Sequence, residues 1–154
     1  MLKVILFDLD ETLYPRSSLL MHEIGKRIEH YVTRYVGIPP AEAEVCRRRW
    51  RTTYGTALRG MMEEGYSVDV DDYLHYVHDV PLEGVISPQP EVRQMLRNIP
   101  LRRVVLTNSD SAHARRVLGH LNLLDCFEQI IDLRALEFVN KPDPKAYQRA
   151  LDIL

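Results

Sequence analysis

Asp8 and Asp10 stand two residues apart where the apolar run Val4-Ile5-Leu6-Phe7 gives out. The period of a strand puts both on one side of the chain, near the carboxyl end of a sheet, where ligands bind in open α/β folds. In isolation an Asp-x-Asp tripeptide reads as a turn with two solvated acids. Two other segments add to it. Thr107 ends the apolar stretch Val104-Val105-Leu106, and Lys141 precedes a helix start at Asp143-Pro144. A lysine in that setting is by itself an ordinary exposed side chain. Together with two carboxylates and a hydroxyl it could serve a single site.

One reaction these groups could carry out is hydrolysis of a phosphate monoester. It is among the slowest uncatalysed reactions, so positioning and charge compensation must supply most of the barrier reduction. Asp8, nearest the strand, is the carboxylate placed to attack phosphorus and form an aspartyl-phosphate, which splits the hydrolysis into two steps. Its charge repels a phosphate by roughly 4 kcal/mol per charge pair at 4 Å and an effective dielectric of 20. Lys141 is one cation that offsets this, and a Mg²⁺ held on carboxylate and carbonyl oxygens is another. Asp10 would protonate the leaving alkoxide and then take a proton from the attacking water. The Thr107 hydroxyl and the backbone N–H groups of the Asp8 to Thr12 loop would hold phosphoryl oxygens.

The elements that must position these groups follow from periodicity and punctuation. Leu2 to Phe7 suits a buried strand. Leu20, Ile24, Ile28, Tyr31 and Tyr35 line one helical face, stopped by Gly37 and Pro39-Pro40. A second helix is expected from Ala41 to Tyr54, closed by Gly55, and a third from Thr56 to Glu64, ended by Gly65. A fourth opens at the cap residue Asp69 with Val70, Tyr73, Leu74 and Val77 on one side, and Pro81 terminates it. Beyond it strand and helix alternate. Pro90 opens a helix with Val92, Met95, Leu96 and Ile99 inward. Arg102 to Thr107 is a strand. Ser109 or Asp110 caps a helix that buries Ala114, Val117, Leu118 and Leu121. Phe127 to Ile131 is a strand, and Asp143-Pro144 starts a helix with Tyr147, Ala150, Leu151 and Leu154 inward. The expected architecture is therefore an α/β core with a Rossmann-like parallel sheet, residues 1–15 and 84–154, interrupted by an all-helical cap domain, residues 16–83.

Three segments carry a family resemblance. Asp8-Leu9-Asp10-Glu11-Thr12-Leu13-Tyr14, directly after four apolar residues, resembles the first motif of the haloacid dehalogenase-like hydrolase superfamily. Val104-Val105-Leu106-Thr107-Asn108 resembles the second, an apolar strand ending in Thr or Ser. Asn140-Lys141-Pro142-Asp143-Pro144 resembles the third, a Lys-Pro at the start of a helix. They occur in order and at the expected strand-to-loop or loop-to-helix transitions. The resemblance implies that Asp8 is the nucleophile, Asp10 the acid/base, Thr107 the phosphate binder and Lys141 the charge stabiliser, with Thr12 and Asn108 as neighbouring substrate contacts. It assigns Mg²⁺ to the Asp8 carboxylate and the Asp10 main-chain carbonyl. The carbon–halogen hydrolases of the superfamily lack the second acid, because a halide leaves without a proton, so Asp10 favours phosphoryl transfer.

More specifically, the chain is similar to the pyrimidine 5′-nucleotidase branch. The similar stretches are Phe7 to Pro15, Tyr54-Gly55-Thr56-Ala57-Leu58-Arg59-Gly60, Tyr73 to Pro81, and His113-Ala114-Arg115-Arg116-Val117-Leu118. This implies dephosphorylation of nucleoside monophosphates such as UMP and CMP. Tyr54, Thr56 and Arg59 are the candidates for substrate contact in the cap, through stacking on Tyr54 and pairing of Arg59 with a phosphate or base carbonyl. The plainer reading of Tyr54-Gly55-Thr56 is a helix stop followed by an N-cap. The superfamily's fourth motif, acidic residues that supply a further Mg²⁺ ligand, has no match after Lys141. Asp143 and Asp152 are a helix cap and a helix residue. The expectation is a C-terminally incomplete core, weakened Mg²⁺ binding and an exposed apolar sheet edge at Val4 to Phe7 open to self-association. The alternative to a phosphatase is thus a catalytically impaired relative acting as a binding or oligomerising module.

Composition removes other classes. In 154 residues, 20 Lys and Arg face 22 Asp and Glu, a net charge of −2 that argues against a polybasic partner for nucleic acid polymers or membrane surfaces. Two cysteines, Cys46 and Cys126, exclude a disulfide scaffold and suit a reducing, cytoplasmic setting. No apolar run approaches the roughly 18 residues of a spanning helix. Arg47-Arg48-Arg49-Trp50-Arg51 wraps more than a full helical turn, so it reads as a solvated face with Trp50 partly packed rather than a flat basic patch. The six histidines show no metal-binding spacing.

Overall fold

Val4–Phe7, rich in the β-branched and aromatic residues that fit a pleated surface, forms β1. It runs parallel to β2, Arg102–Leu106, with Val4 opposite Arg102 and Phe7 opposite Val105. On its other side β2 runs parallel to β3, Gln129–Ile131, with Val104 opposite Gln129 and Leu106 opposite Ile131. The sheet order is β1-β2-β3. This is a computed structural model, and it describes residues 2–154. Parallel neighbours need long crossovers. Between β1 and β2 the chain passes through α1 (Leu20–Tyr31), α2 (Pro40–Tyr54), α3 (Ala57–Glu63), α4 (Val70–His78) and α5 (Pro90–Arg97). α6 (Ser111–His120) links β2 to β3, and α7 (Pro144–Ile153) follows β3. The result is a Rossmann-like α/β core with a parallel sheet.

The chain divides into two compact units, one built from the segments up to Leu19 and from Pro81 to Leu154, the other from Leu20–Val80. Residues 16–19 and 81–83, expected in the helical part, belong to the α/β unit. Their own bonds explain this. Ser18 N–H donates to Pro15 O in a short 3₁₀ turn, Arg16 pairs with Glu11, and Leu82 is buried with its carbonyl accepting from Val85 and Ile86.

In the α/β unit, Val104, Leu106 and Ile131 of the strands pack with Leu136, Ala146 and Ala150, and Val4, Leu6, Val139 and Leu154 lie partly buried against them. The inward row of α7 is thus Ala146 and Ala150, whereas Tyr147 and Leu151, expected inside, are 42% and 58% exposed. The two rows are adjacent on a helix and both are apolar, so periodicity does not separate them; the small pair lies against the sheet. β3 is also shorter than the expected Phe127 to Ile131, because the Phe127 N–H closes a 3₁₀ turn onto Leu124 O.

In the helical unit, α1 ends in a π turn, Val32–Val36, before Gly37 at φ 87°. The wider turn breaks the 3.6-residue period, and Tyr35 leaves the buried stripe to stand 53% exposed. Trp50 is wholly buried rather than partly packed. It lies so close to Gly60 of α3 that a Cβ built there would be 2.4 Å from the Trp50 Cβ and Cγ. Burying that indole contributes about 3 kcal/mol, and only glycine permits the approach. The arginines around it are paired: Arg47 with Glu29, Arg48 with Glu44, Arg49 with Glu64. Thr56 and Asp69 cap α3 and α4, accepting from the Arg59 and Asp72 N–H groups. Among the described residues no helix is long and apolar enough to cross a membrane, and both cysteines are free.

Candidate active site

β1 stops at Phe7, and the chain turns at once: the Thr12 and Leu13 N–H groups both donate to Leu9 O. Glu11 sits at φ 61°, the left-handed region, a local cost of about 1 kcal/mol for a residue with a Cβ. The turn leaves the Asp8 carboxylate about half exposed and brings Tyr14 back to Asp10, four residues behind it. Leu9 and Leu13 are buried and anchor the loop.

Lys141 reaches this loop from the far end of the sequence. Its Nζ lies 2.7 Å from Asp8 Oδ1 and also donates to Leu106 O at 2.5 Å. The ammonium is mostly shielded while the carboxylate faces solvent, so their attraction is stronger than that of a surface pair. Asn108 fixes the lysine's backbone from both sides. Its Nδ2 donates to Lys141 O at 3.0 Å, and its Oδ1 accepts the Lys141 N–H at 2.9 Å. The Asn108 amide, expected as a substrate contact, is therefore engaged with Lys141. Thr12, the other such candidate in the core, donates its hydroxyl to Asp8 Oδ2 at 3.1 Å. Thr107 is buried, and its Oγ accepts the Ser109 N–H at 3.0 Å, leaving its own hydrogen to donate.

Asp10 lives in a different environment. Its Oδ1 accepts from Tyr14 Oη at 2.8 Å and from His113 Nε2 at 3.0 Å, and its Oδ2 accepts from Ser109 Oγ at 2.9 Å. Burial pushes this carboxyl's pKa up, but the hydrogen bond and charge of His113 and the hydrogen bonds of Tyr14 and Ser109 outweigh it, lowering it from 3.8 to about 2. The same contact acts on Tyr14, whose phenol is raised by burial and by the Asp10 charge. Tyr14, Ser109 and His113 were not singled out by sequence reasoning. Tyr14 lies i+4 from Asp10, and Ser109 and His113 lie two and six residues beyond Thr107. Those intervals were legible, but nothing in them says that they point to Asp10.

Asp8, Asp10, Thr12, Thr107, Asn108 and Lys141 all belong to the α/β unit, and hydrogen bonds link Asp8 to Thr12 and Lys141, and Lys141 to Asn108. Tyr54, Thr56 and Arg59 belong to the helical unit. There Tyr54 ends α2, Thr56 caps α3, and Arg59 Nε lies 3.3 Å from Glu63. Among the described residues no cluster of three or more His, Cys, Asp or Glu could hold a metal. The Asp10 carboxylate accepts from three donors, two on Oδ1 and one on Oδ2. Asp8 remains as a half-exposed, hard oxygen donor, which fits a Mg²⁺ that keeps several waters and takes one or two carboxylates.

Comparison with known proteins bears on the fold and the family. L-2-haloacid dehalogenase from Xanthobacter autotrophicus, solved with chloropropionic acid covalently bound, superposes with a TM-score of 0.52 at 18% identity, over 100% of this chain and 65% of that one. YfnB from Bacillus subtilis, solved bound to magnesium, gives 0.55 at 17% identity, over 99% and 72%. These likenesses are of fold. Phosphate metabolism protein 8 of Saccharomyces cerevisiae is 27% identical over 161 residues, covering 96% of this chain and 50% of that protein, so the chain spans half the length of this curated relative. The sequence profile of the haloacid dehalogenase-like hydrolases matches residues 2–154. A match of that extent, running through the loop of Asp8 and Asp10 and on past Lys141, means that the chain belongs to the haloacid dehalogenase-like hydrolases.

Proposed function

We propose that the α/β unit is the catalytic part of a Mg²⁺-dependent phosphatase that hydrolyses a small phosphate monoester, a pyrimidine nucleoside 5′-monophosphate being the favoured substrate. The observation that carries this reading is the contact between the Lys141 ammonium and the Asp8 carboxylate at 2.7 Å, made across the whole length of the core. A half-exposed carboxylate held beside a shielded cation is suited to attack a phosphoryl group whose charge would otherwise repel it. The name of the yeast relative points to phosphate metabolism, and the second acid supports an oxygen leaving group over a halide.

Asp8 attacks phosphorus, the ester P–O bond breaks, and Asp10 gives its proton to the departing oxygen. Water then attacks the aspartyl-phosphate, Asp10 takes its proton, and phosphate leaves with Asp8 restored. In the free site Asp10 is ionised at neutral pH. That suits the second half directly. For the first half, the charge of a bound phosphate raises the affinity of Asp10 for a proton. The Asp8 carboxylate and the Asp10 main-chain carbonyl would hold Mg²⁺, which would supply Lewis-acid polarisation and charge neutralisation. Thr107 donates its hydroxyl to a phosphoryl oxygen. Preference for a pyrimidine is assigned to Tyr54, Thr56 and Arg59 of the helical unit, whose ring and guanidinium suit a base and its carbonyls.

The test is phosphate release from UMP, CMP, AMP and glycerol phosphate by the full chain in Mg²⁺. Turnover that favours UMP and CMP and stops on adding EDTA supports the reading. An unchanged rate in EDTA removes the metal from it, and equal rates on all four esters remove the nucleotide.

A further inference from the structure

The three donors around Asp10 do not treat its two oxygens alike. An ionised carboxylate oxygen offers two lone pairs in the plane of the group. Those of Oδ1 are both engaged, by Tyr14 Oη at 2.8 Å and His113 Nε2 at 3.0 Å. Oδ2 accepts a single bond, from Ser109 Oγ at 2.9 Å. Because the carboxylate only accepts, His113 Nε2 carries the hydrogen in this contact. The His113 side chain is 0% exposed and that of Asp10 13%, so neither is free to turn in solvent.

The placement of His113 is itself built. It lies in the first turn of α6, where Asp110 caps the helix and accepts the His113 N–H at 3.1 Å. The same first turn is tied to the segment after β3 by Asp132, whose Oδ2 accepts the Ser111 N–H and hydroxyl and whose Oδ1 accepts the Arg134 and Ala135 N–H groups. A buried carboxylate with that many donors is a rigid anchor. The imidazole therefore reaches Asp10 from a fixed direction, on an element different from the loop that carries Asp10.

We infer that His113 is a positioning residue, which with Tyr14 locks Asp10 through Oδ1 so that the catalytic proton is carried on Oδ2. This rests on the reading of Asp8 and Asp10 given above. As the ester P–O bond breaks, its electron pair goes to the leaving oxygen and the proton on Oδ2 passes to that oxygen. When water later attacks phosphorus, its proton returns to Oδ2, and Oδ1 keeps both of its hydrogen bonds throughout. A carboxylate released from His113 rotates about its Cβ–Cγ bond and offers the wrong oxygen or the wrong angle, and small misplacements of this kind cost rate steeply.

The experiment compares His113→Leu, His113→Gln and Tyr14→Phe in the full chain on two substrates, glycerol phosphate, whose alkoxide must be protonated to leave, and p-nitrophenyl phosphate, whose phenolate leaves without a proton. His113→Leu is expected to lower kcat on glycerol phosphate about 10- to 100-fold, with KM and the p-nitrophenyl phosphate rate changed by less than about threefold. His113→Gln, which keeps a donor near the Nε2 position, recovers most of the loss, and Tyr14→Phe shows the same substrate-selective loss in weaker form. Equal losses on both esters, or a glutamine no better than leucine, overturn the inference. Asp8→Asn and Asp10→Asn separate the two levels. If Asp8→Asn keeps turnover, the underlying reading fails. If Asp8→Asn is dead and Asp10→Asn is substrate-selective while His113→Leu is not, only the role of His113 fails. Nitrogen-15 spectra of the imidazole give a readout independent of turnover: a protonated Nε2 whose signal moves in Asp10→Asn is expected, and an Nε2 indifferent to that change contradicts the contact.

Discussion

Both compact units carry ion pairs at the surface, such as Arg93–Asp125 and Arg48–Glu44, but they differ in what surrounds their most shielded polar groups. In the α/β unit, local and distant donors together converge on shielded carboxylates: three on Asp10, of which Ser109 and His113 are distant, and four on Asp132, of which the two from Ser111 are distant. In the helical unit, charged groups are mostly paired along or between neighbouring helices near the surface, as in Arg48–Glu44 and Arg59–Glu63. Its interior is held by aromatic packing, with Tyr31 edge-on to Tyr73 at 5.1 Å and the Arg27 guanidinium 4.5 Å from the Tyr76 ring. Converging donors fix the direction of a reactive group, which a hydrophobic cluster cannot do. Exposed ion pairs fix little, because water screens them.

Substitutions sharpen that contrast in order of effect. The largest belongs to Asp8: Asp8→Asn keeps the volume, removes the proposed nucleophile, and is expected to lower kcat of the proposed phosphatase reaction by about a thousandfold or more with little change in melting temperature. Lys141→Ala comes next, with an expected loss of about a hundredfold in kcat/KM on phosphate esters, since the charge facing Asp8 is lost. In the helical unit the strongest effect falls on stability. Gly60→Ala drives a methyl into Trp50 and should cost about 3 kcal/mol in a urea titration, with the activity of the molecules that remain folded set by the other unit.

A smaller effect is expected from pH. The Asp10 pKa, 3.8 ordinarily, lies near 2 in the fold. A depressed carboxylate contributes stability that is fully present above its unfolded pKa and is lost as pH falls through the folded value. About 2 kcal/mol should therefore disappear between about pH 4 and about pH 2. Asp10→Asn should flatten that part of the profile when stability is measured across the same range. The smallest effect is that of Arg48→Ala, which breaks an exposed i,i+4 pair and should shift stability by less than about 0.5 kcal/mol. A larger loss there would blur the distinction between the units.

The sequence made legible what depends on short-range pattern. The strand ends that carry Asp8 and Thr107, the caps at Thr56, Asp69 and Asp143, and the stops at Gly37 and Gly55 follow from local chemistry. What it left unread depends on distance or on shape. The helix start that carries His113 is held by Asp110 and Asp132, neither of which advertises that role. The pair of hydrogen bonds between Asn108 and Lys141 spans 33 positions, a distance that short-range pattern does not cover. On α7 the apolar row at Tyr147 and Leu151 and the small row at Ala146 and Ala150 have the same period, and packing against the strands chose between them. At Tyr35 a π turn moved the stripe after the pattern had set an expectation for it.

The central claim is that Asp8 takes the phosphoryl group. The most direct measurement is acid quenching of the full chain during turnover of a phosphate monoester, followed by peptide mass spectrometry of the segment that contains Asp8 and Asp10. A phosphoryl group found on Asp8, absent in Asp8→Asn and cleared when the substrate is exhausted, is the predicted result. Steady phosphate release with Asp8 never modified, or a phosphoryl group on another residue, would contradict it.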